Sequence, residues 1–440
     1  MKVRHPLIMG TALLTGSSLL CRLLGFFYRI FLSRAIGSQG IGLYQLISPL
    51  FTLCFCIAAS GIATAMTRQI AAQIALNDHG QARCILRMGL LLSTIPAVLL
   101  NLFLFMNADW ISLCLFGEPE CIPLLRLLSC ALPFCTIHAC INSYYYAQKA
   151  TFIPATSQIL EQIIRLGIAY GYCQILQNQH LAVTPIIAVA GSVVSEAGAA
   201  LFSFCCLRRD KKKRPKPTSP CIDRRIIAKN LFLLSYPITL NRLSLNLLHS
   251  LEAILIPACL RSYGLSGDDA LSVFGVLVGM ALPFLLFPTA ITNSVSTLLL
   301  PTVAEEQARG NHAGVRKVIH KTQFYSVLFG ILSTLFFFTV GKPLGTAIFQ
   351  DADCGAYIRT LSFICPFLYL NITVASILNG LGKTMANFRI NFSSLVIRIA
   401  CILFFVPQVG IRGYLYGLLT SEIFASACGL YVLKNEKKGK

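Results

Sequence analysis

Residues 208–217 read Arg208-Arg209-Asp210-Lys211-Lys212-Lys213-Arg214-Pro215-Lys216-Pro217. This basic stretch with two prolines belongs in water, and it divides the chain. Before it lie apolar runs at about 7–32, 41–66, 84–107, 121–145, 153–176 and 181–206. After it lie runs at about 228–259, 271–300, 322–341, 355–380, 386–406 and 412–434. Each has the ~20 residues that a helix needs to cross a hydrocarbon layer of ~30 Å. The composition allows little else. Of 440 residues 55% are hydrophobic and 12% charged, where an average soluble chain carries about 25% charge, and the mean hydropathy is +0.70. Disordered chains, collagens, small disulfide scaffolds and ordinary cytosolic enzymes are excluded. The expected fold is an all-α integral membrane protein of twelve transmembrane helices in two six-helix lobes. The lobes are residues 1–206 and 228–440, joined by a basic cytoplasmic linker over 207–227.

Charge sets the orientation. The chain has 37 Lys and Arg against 17 Asp and Glu, formally +20. In a soluble protein this excess would point to nucleic acid; in a polytopic one it marks cytoplasmic loops. With the central linker inside, both termini are inside. Inner segments and the helix ends beside them then hold 26 Lys and Arg, and outer segments hold 6: Arg34, Arg126, Arg261, Lys342, Arg359 and Arg412. The reading is a multi-pass protein of the bacterial cytoplasmic membrane, surrounded by membrane lipids, with no nucleic-acid partner. The opening residues superficially resemble a signal peptide. The apolar stretch is too long, carries Arg22 and Arg29 and lacks a small-residue cleavage site, so it reads as an uncleaved first helix.

The halves resemble each other. At one constant offset His79 meets His312, Arg83 meets Arg316, Cys121 meets Cys354, and Arg126 meets Arg359. At the same offset Pro133-Phe134 meets Pro366-Phe367, and Arg165 meets Arg398. With six spans per half, both halves start inside, which makes this a parallel internal repeat, an arrangement that transporters use for alternating access.

Five arginines remain inside the spans: Arg22, Arg29, Arg165, Arg242 and Arg398. A charge at helix depth costs about 2.5–3.5 kcal/mol even on the lenient scale, so each raises a functional question. Arg22 and Arg29, seven apart, share a face of the first helix. The seventh carries Arg242, Asn246 and His249 in one polar stripe, followed by Glu252. The repeat makes these two helices equivalent, with their polar faces on a cavity between the lobes. Arginine, permanently charged and forked, suits phosphate, so the expected substrate is an anion such as a phosphate or diphosphate. Glu161 and Arg165, four apart, read as an internal pair or as part of a substrate site. Arg29 alternatively snorkels to the outer interface. His249 reads as a packing residue or a proton relay, Glu252 as a counter-ion or cation site, and Arg398 as the counterpart of Arg165. Glu196 and Glu422 read as local helix–helix hydrogen bonds.

Most of the 18 cysteines sit inside apolar runs, where a thiol is a small hydrophobe; Cys114, Cys121 and Cys354 fall in expected outer loops. Phosphate-loop, serine-elbow and zinc-protease motifs are absent from the sequence. Asp351-Ala352-Asp353 has the form of a metal-dependent glycosyltransferase motif, without a supporting constellation. No catalytic residue, metal or cofactor is expected, and the chain does not read as an enzyme.

The stretch from Cys21 to Phe51, CRLLGFFYRIFLSRAIGSQGIGLYQLISPLF, resembles the opening of the stage V sporulation protein B-like family of polysaccharide transporters. That family lies in the multidrug/oligosaccharidyl-lipid/polysaccharide exporter superfamily, with the lipid II flippase as a relative. The matching residues are Arg22-Leu23-Leu24-Gly25-Phe26, Tyr28-Arg29, Leu32-Ser33-Arg34, Gly37 and Gly40-Ile41-Gly42-Leu43-Tyr44-Gln45. Gly61-Ile62-Ala63-Thr64-Ala65, Pro301 and Gly410-Ile411-Arg412-Gly413 also fit. The resemblance implies a flippase moving a polyprenyl-diphosphate-linked glycan, a precursor of peptidoglycan or polysaccharide for cell wall or spore cortex. It implies that Arg22 and Arg29 hold the diphosphate, as helix-1 arginines do in lipid II flippases; Arg242 is added from the repeat. Cell-wall synthesis enzymes are implied as partners. Members of the family usually carry two further C-terminal helices that handle the lipid tail. The rival readings are a cation-coupled multidrug exporter of the same fold, a membrane glycosyltransferase and a scaffold for envelope enzymes. An arginine-rich cavity argues against cationic drugs.

Overall fold

The structure, a computed structural model, describes residues 6–76, 78–213, 224–308 and 312–438. Pro215, Lys216 and Pro217 of the linker lie outside the described residues. The chain folds into α1 (Pro6–Phe55), α2 (Gly61–Ala75), α3 (His79–Met106), α4 (Ala108–Trp110), α5 (Cys121–Ser129), α6 (Ala131–Ala147), α7 (Phe152–Asn178) and α8 (Ile186–Lys213). These are followed by α9 (Arg224–Ser262), α10 (Gly267–Phe274), α11 (Leu282–Leu286), α12 (Thr289–Ala308), α13 (His312–Leu344), α14 (Ala352–Leu361), α15 (Cys365–Gly380), α16 (Thr384–Val409) and α17 (Ile411–Lys438). No strand occurs among the described residues, as expected where lipid offers no partner to an open backbone.

Ten helical stretches among the described residues are long and apolar enough to cross a membrane. The protein is therefore an all-α, multi-pass membrane protein. The first stretch, Leu13–Ala75, has 63 residues, about 95 Å of helix, enough for two passes. It is broken at Gly37 (φ 68°, ψ −177°), a backbone that glycine adopts without strain. The more polar α7 falls outside the ten but has 27 residues, also of spanning length.

Several helices differ from their apolar runs. The run at 121–145 is two helices that part at Cys130, and the run at 355–380 parts through a 3₁₀ turn at Ser362–Ile364. Pro133 and Pro366 follow these breaks and remove the amides that would have continued the ladder. The run at 271–300 is divided into α10, a π-helical segment at Gly275–Ala281, α11 and α12, with Pro283 and Pro288 at the divisions. Uniform hydrophobicity conceals such breaks. α8 runs to Lys213 and α9 begins at Arg224. Cys121 and Cys354 are fully buried on α5 and α14 rather than in outer loops, because the chain reverses just before each. Gly117 (φ 69°) and Gln350 (φ 56°) make those left-handed turns.

The described residues form two compact units. One comprises 1–28 with 46–250, the other 29–45 with 251–440. The first has a core of Met66, Ile70, Leu86, Ile141, Tyr145 and Leu231; the second has one of Val303, Ile319, Ile377, Leu378 and Leu433. Within the second unit, backbones meet closely at small residues, the usual way for helices to approach in lipid. A Cβ on Gly42 would stand 2.3 Å from the Leu271 carbonyl oxygen, and one on Gly275 only 2.1 Å from that of Ser38.

Both units repeat certain local devices. Arg126 lies 5.9 Å from the centre of the Phe105 ring and Arg359 lies 4.3 Å from that of Phe338. Ser129 Oγ donates to the Arg126 carbonyl at 2.8 Å, and Ser362 Oγ to that of Arg359 at 2.7 Å. Asp351, weighed above as part of a metal motif, is the N-cap of α14 and accepts from the Cys354 amide at 2.8 Å. Asp351→Ala should cost about 1 kcal/mol, as loss of an N-cap does, read as a lower thermal midpoint in detergent with no change in helix content.

Candidate functional site

The intramembrane charges fall into two groups. The first consists of arginines held by carboxylates. In the first unit Arg165 Nη2 donates to Glu161 one turn earlier on α7, and its Nε donates to Ser195 Oγ of α8 at 3.4 Å. In the second unit Arg398 of α16 donates Nε to Ser421 Oγ of α17 at 3.1 Å. It also reaches Glu422 at 2.9 Å and Glu252 at 3.4 Å. Tyr414 donates to Glu252 at 2.9 Å, and Asn371 Nδ2 donates to Glu422 Oε2 at 2.7 Å. These groups are nearly buried, and the excellent pairing answers the desolvation of each charge. Glu161 and Arg165 thus pair within α7, and Glu252 pairs with Arg398.

Beside the first pair lies a residue that the sequence did not single out. His138 of α6 places Nε2 2.9 Å from Asn142 Nδ2 and 3.0 Å from Ser157 Oγ. Its Nδ1 faces Glu196 Oε2 at 3.5 Å. Ligand atoms of His138, Glu161 and Glu196 lie within 4.8 Å of one another, close enough to hold a metal ion. Arg165 already supplies Glu161 with its positive charge, and Glu196 Oε2 is buried without a hydrogen-bond partner. A lone histidine in an apolar run gives no sign of this, since its acidic neighbours are on other helices.

The second group comprises the arginines expected to meet substrate. Arg242, midway along α9, is exposed and donates Nη1 to the Ser60 carbonyl oxygen at 3.0 Å; both belong to the first unit. Asn246 is half-buried and His249 exposed on the same helix. Arg22 is exposed on the part of α1 that belongs to the first unit. Arg29 belongs to the second, where Nη1 donates to the Gly279 carbonyl oxygen at 3.5 Å. Arg34, expected in an outer loop, lies on α1 and donates Nε to the Ile348 carbonyl oxygen at 3.2 Å. Backbone carbonyls are neutral acceptors, so the charges of Arg29 and Arg242 stay available to an anion.

Apolar helices of spanning length that carry arginines define a polytopic membrane protein. The profile of the polysaccharide biosynthesis protein family matches residues 7–267, more than half of the chain, and that of the MatE family matches 249–403. The chain belongs to the polysaccharide biosynthesis protein family. It is 23% identical over 428 residues to stage V sporulation protein B of Bacillus subtilis (strain 168), covering 96% of this chain and 82% of that one. Its fold matches an inward-facing multidrug resistance MATE family transporter of the MOP superfamily at a TM-score of 0.76, with 15% identity, 95% of this chain and 96% of that one. It also matches the lipid II flippase MurJ in an inward closed conformation at 0.74, with 14% identity, 96% of this chain and 87% of that one. By family the protein is a multi-pass polysaccharide biosynthesis protein, and its fold is that of these transporters.

Proposed function

We propose that the protein is a flippase carrying a polyprenyl-diphosphate-linked glycan from the inner to the outer leaflet of the bacterial cytoplasmic membrane. The observation that carries this reading is the pair of arginines, Arg29 and Arg242, whose acceptors are neutral carbonyls. Two of the remaining intramembrane arginines, Arg165 and Arg398, are neutralised by glutamates. Keeping charges uncancelled in a membrane costs free energy, and an anionic substrate returns it on binding. Arg22, Arg29 and Arg242 bind the diphosphate, Asn246 and His249 meet the sugars, and the prenyl tail stays in lipid. Twelve helices in two lobes, 1–206 and 228–440, alternate access, with both termini cytoplasmic. No bond is broken, so the cycle needs no nucleophile, metal or cofactor. The family membership and the likeness to stage V sporulation protein B support a glycan precursor, with cell-wall synthesis enzymes downstream.

The likeness to a multidrug transporter supports a second reading, cation-coupled drug export. Proteoliposomes separate the two. The wild type should move a labelled polyprenyl-diphosphate glycolipid, and Arg22→Ala with Arg29→Ala should slow this at least about tenfold, as loss of a charge-assisted contact does. Equal transport by the double variant would remove those arginines from the site. Cation-driven dye efflux without glycolipid movement would decide for drug export.

A further inference from the structure

The second unit holds a groove of about 520 Å³, within the ~300–1,000 Å³ of small-molecule sites. Its walls come from α12 and α13, with Thr373 of α15 on its floor. Val295, Tyr325 and Leu332 line it and are exposed apolar side chains. The floor hydroxyls are satisfied within the protein: Ser326 and Thr373 bond each other at 3.0 Å, and Thr292 Oγ donates to the Thr289 carbonyl at 3.1 Å. The groove therefore offers a ligand a hydrocarbon surface.

Among the residues lining it, Lys321 alone is charged. It is exposed and belongs to a basic stretch at the start of α13 with Arg316, Lys317 and His320. From Lys321 to Leu332 the helix rises about 16 Å, roughly half of a ~30 Å hydrocarbon layer. The groove is thus as long as one leaflet is deep, with a cation at one end and apolar walls beyond. Two helices wall one apolar groove with a single lysine beside it. A diacyl lipid brings two chains to a phosphate, whereas an isoprenoid phosphate brings one.

We propose that this groove holds the isoprenoid chain of the lipid carrier, with Lys321 on its phosphate. The proposal rests on the flippase reading for its choice of lipid, and it gives the tail a place on α12 and α13.

The test uses full-length protein in phosphatidylcholine nanodiscs and a photoreactive polyprenyl phosphate without sugar. Labelling should map to residues 318–332, and unlabelled polyprenyl phosphate should suppress it while phosphatidylglycerol does not. Lys321→Glu, which reverses the charge, and Val295→Trp, which fills the groove, should each reduce labelling about tenfold. Lys317→Glu, outside the lining, should leave it unchanged. Equal labelling of the groove variants, or equal competition by phosphatidylglycerol, would overturn the proposal. The assay involves no transport, so an unlabelled groove beside intact flipping removes the groove alone. A labelled groove without flipping of any prenyl lipid removes the flippase reading alone.

Discussion

Arg398→Ala should destabilise the protein by about 3–5 kcal/mol, as removal of one partner from a buried ion pair does. The guanidinium lies between Glu252 and Glu422, with side chains of all three no more than 13% exposed. Without it two carboxylates face each other in a low-dielectric interior, and Tyr414 and Asn371 can answer only part of their charge. The expected result is a large drop in thermal midpoint in detergent, with Arg389→Ala, at an exposed position on the same helix, close to wild type. A triple change of Arg398→Met, Glu252→Gln and Glu422→Gln should recover most of the loss, because it removes both the cation and the stranded anions. A single variant as stable as wild type would show that the network carries no net charge to be stranded.

Gly275→Val should be nearly as damaging, at about 3 kcal/mol, the upper end for overpacking. The atoms that its Cβ would meet are backbone, the Ser38 carbonyl oxygen at 2.1 Å and the Gly42 nitrogen at 2.7 Å, and these have no rotamer to change. The whole of α1 around Gly42 would have to move. Gly167→Ala is the contrasting case. Nothing lies within 4 Å of the added Cβ, and alanine is favoured over glycine inside a helix by about 1 kcal/mol, so this change should raise the thermal midpoint. Loss of stability at Gly167 comparable to that at Gly275 would mean that helix packing is not what distinguishes them.

The membrane-spanning, all-helical character was legible because it depends on summed hydrophobicity, which needs no knowledge of contacts. The internal pairing of Glu161 with Arg165 was legible as well, since four residues along a helix fix neighbours. The partners of Arg398 were not, because Glu252 lies 146 residues away and only tertiary packing brings the two together. His138 was missed for the same reason. The offset that aligned Arg165 with Arg398 does not align Glu196 with Glu422, although each glutamate follows the serine that receives its arginine's Nε. The breaks at Cys130 and Ser362 left a signal in Pro133 and Pro366, but the apolar runs passed through both without a change in polarity.

The allocation of residues 29–45 to the second compact unit bears on how such a chain can be divided. A gene split within the central linker yields a carboxyl-terminal polypeptide lacking a segment of its own packing, including the Gly42 surface that Leu271 and Gly275 are shaped to receive. Such a fragment is not an autonomous module. Split halves would regain native packing only through complementation by the amino-terminal polypeptide.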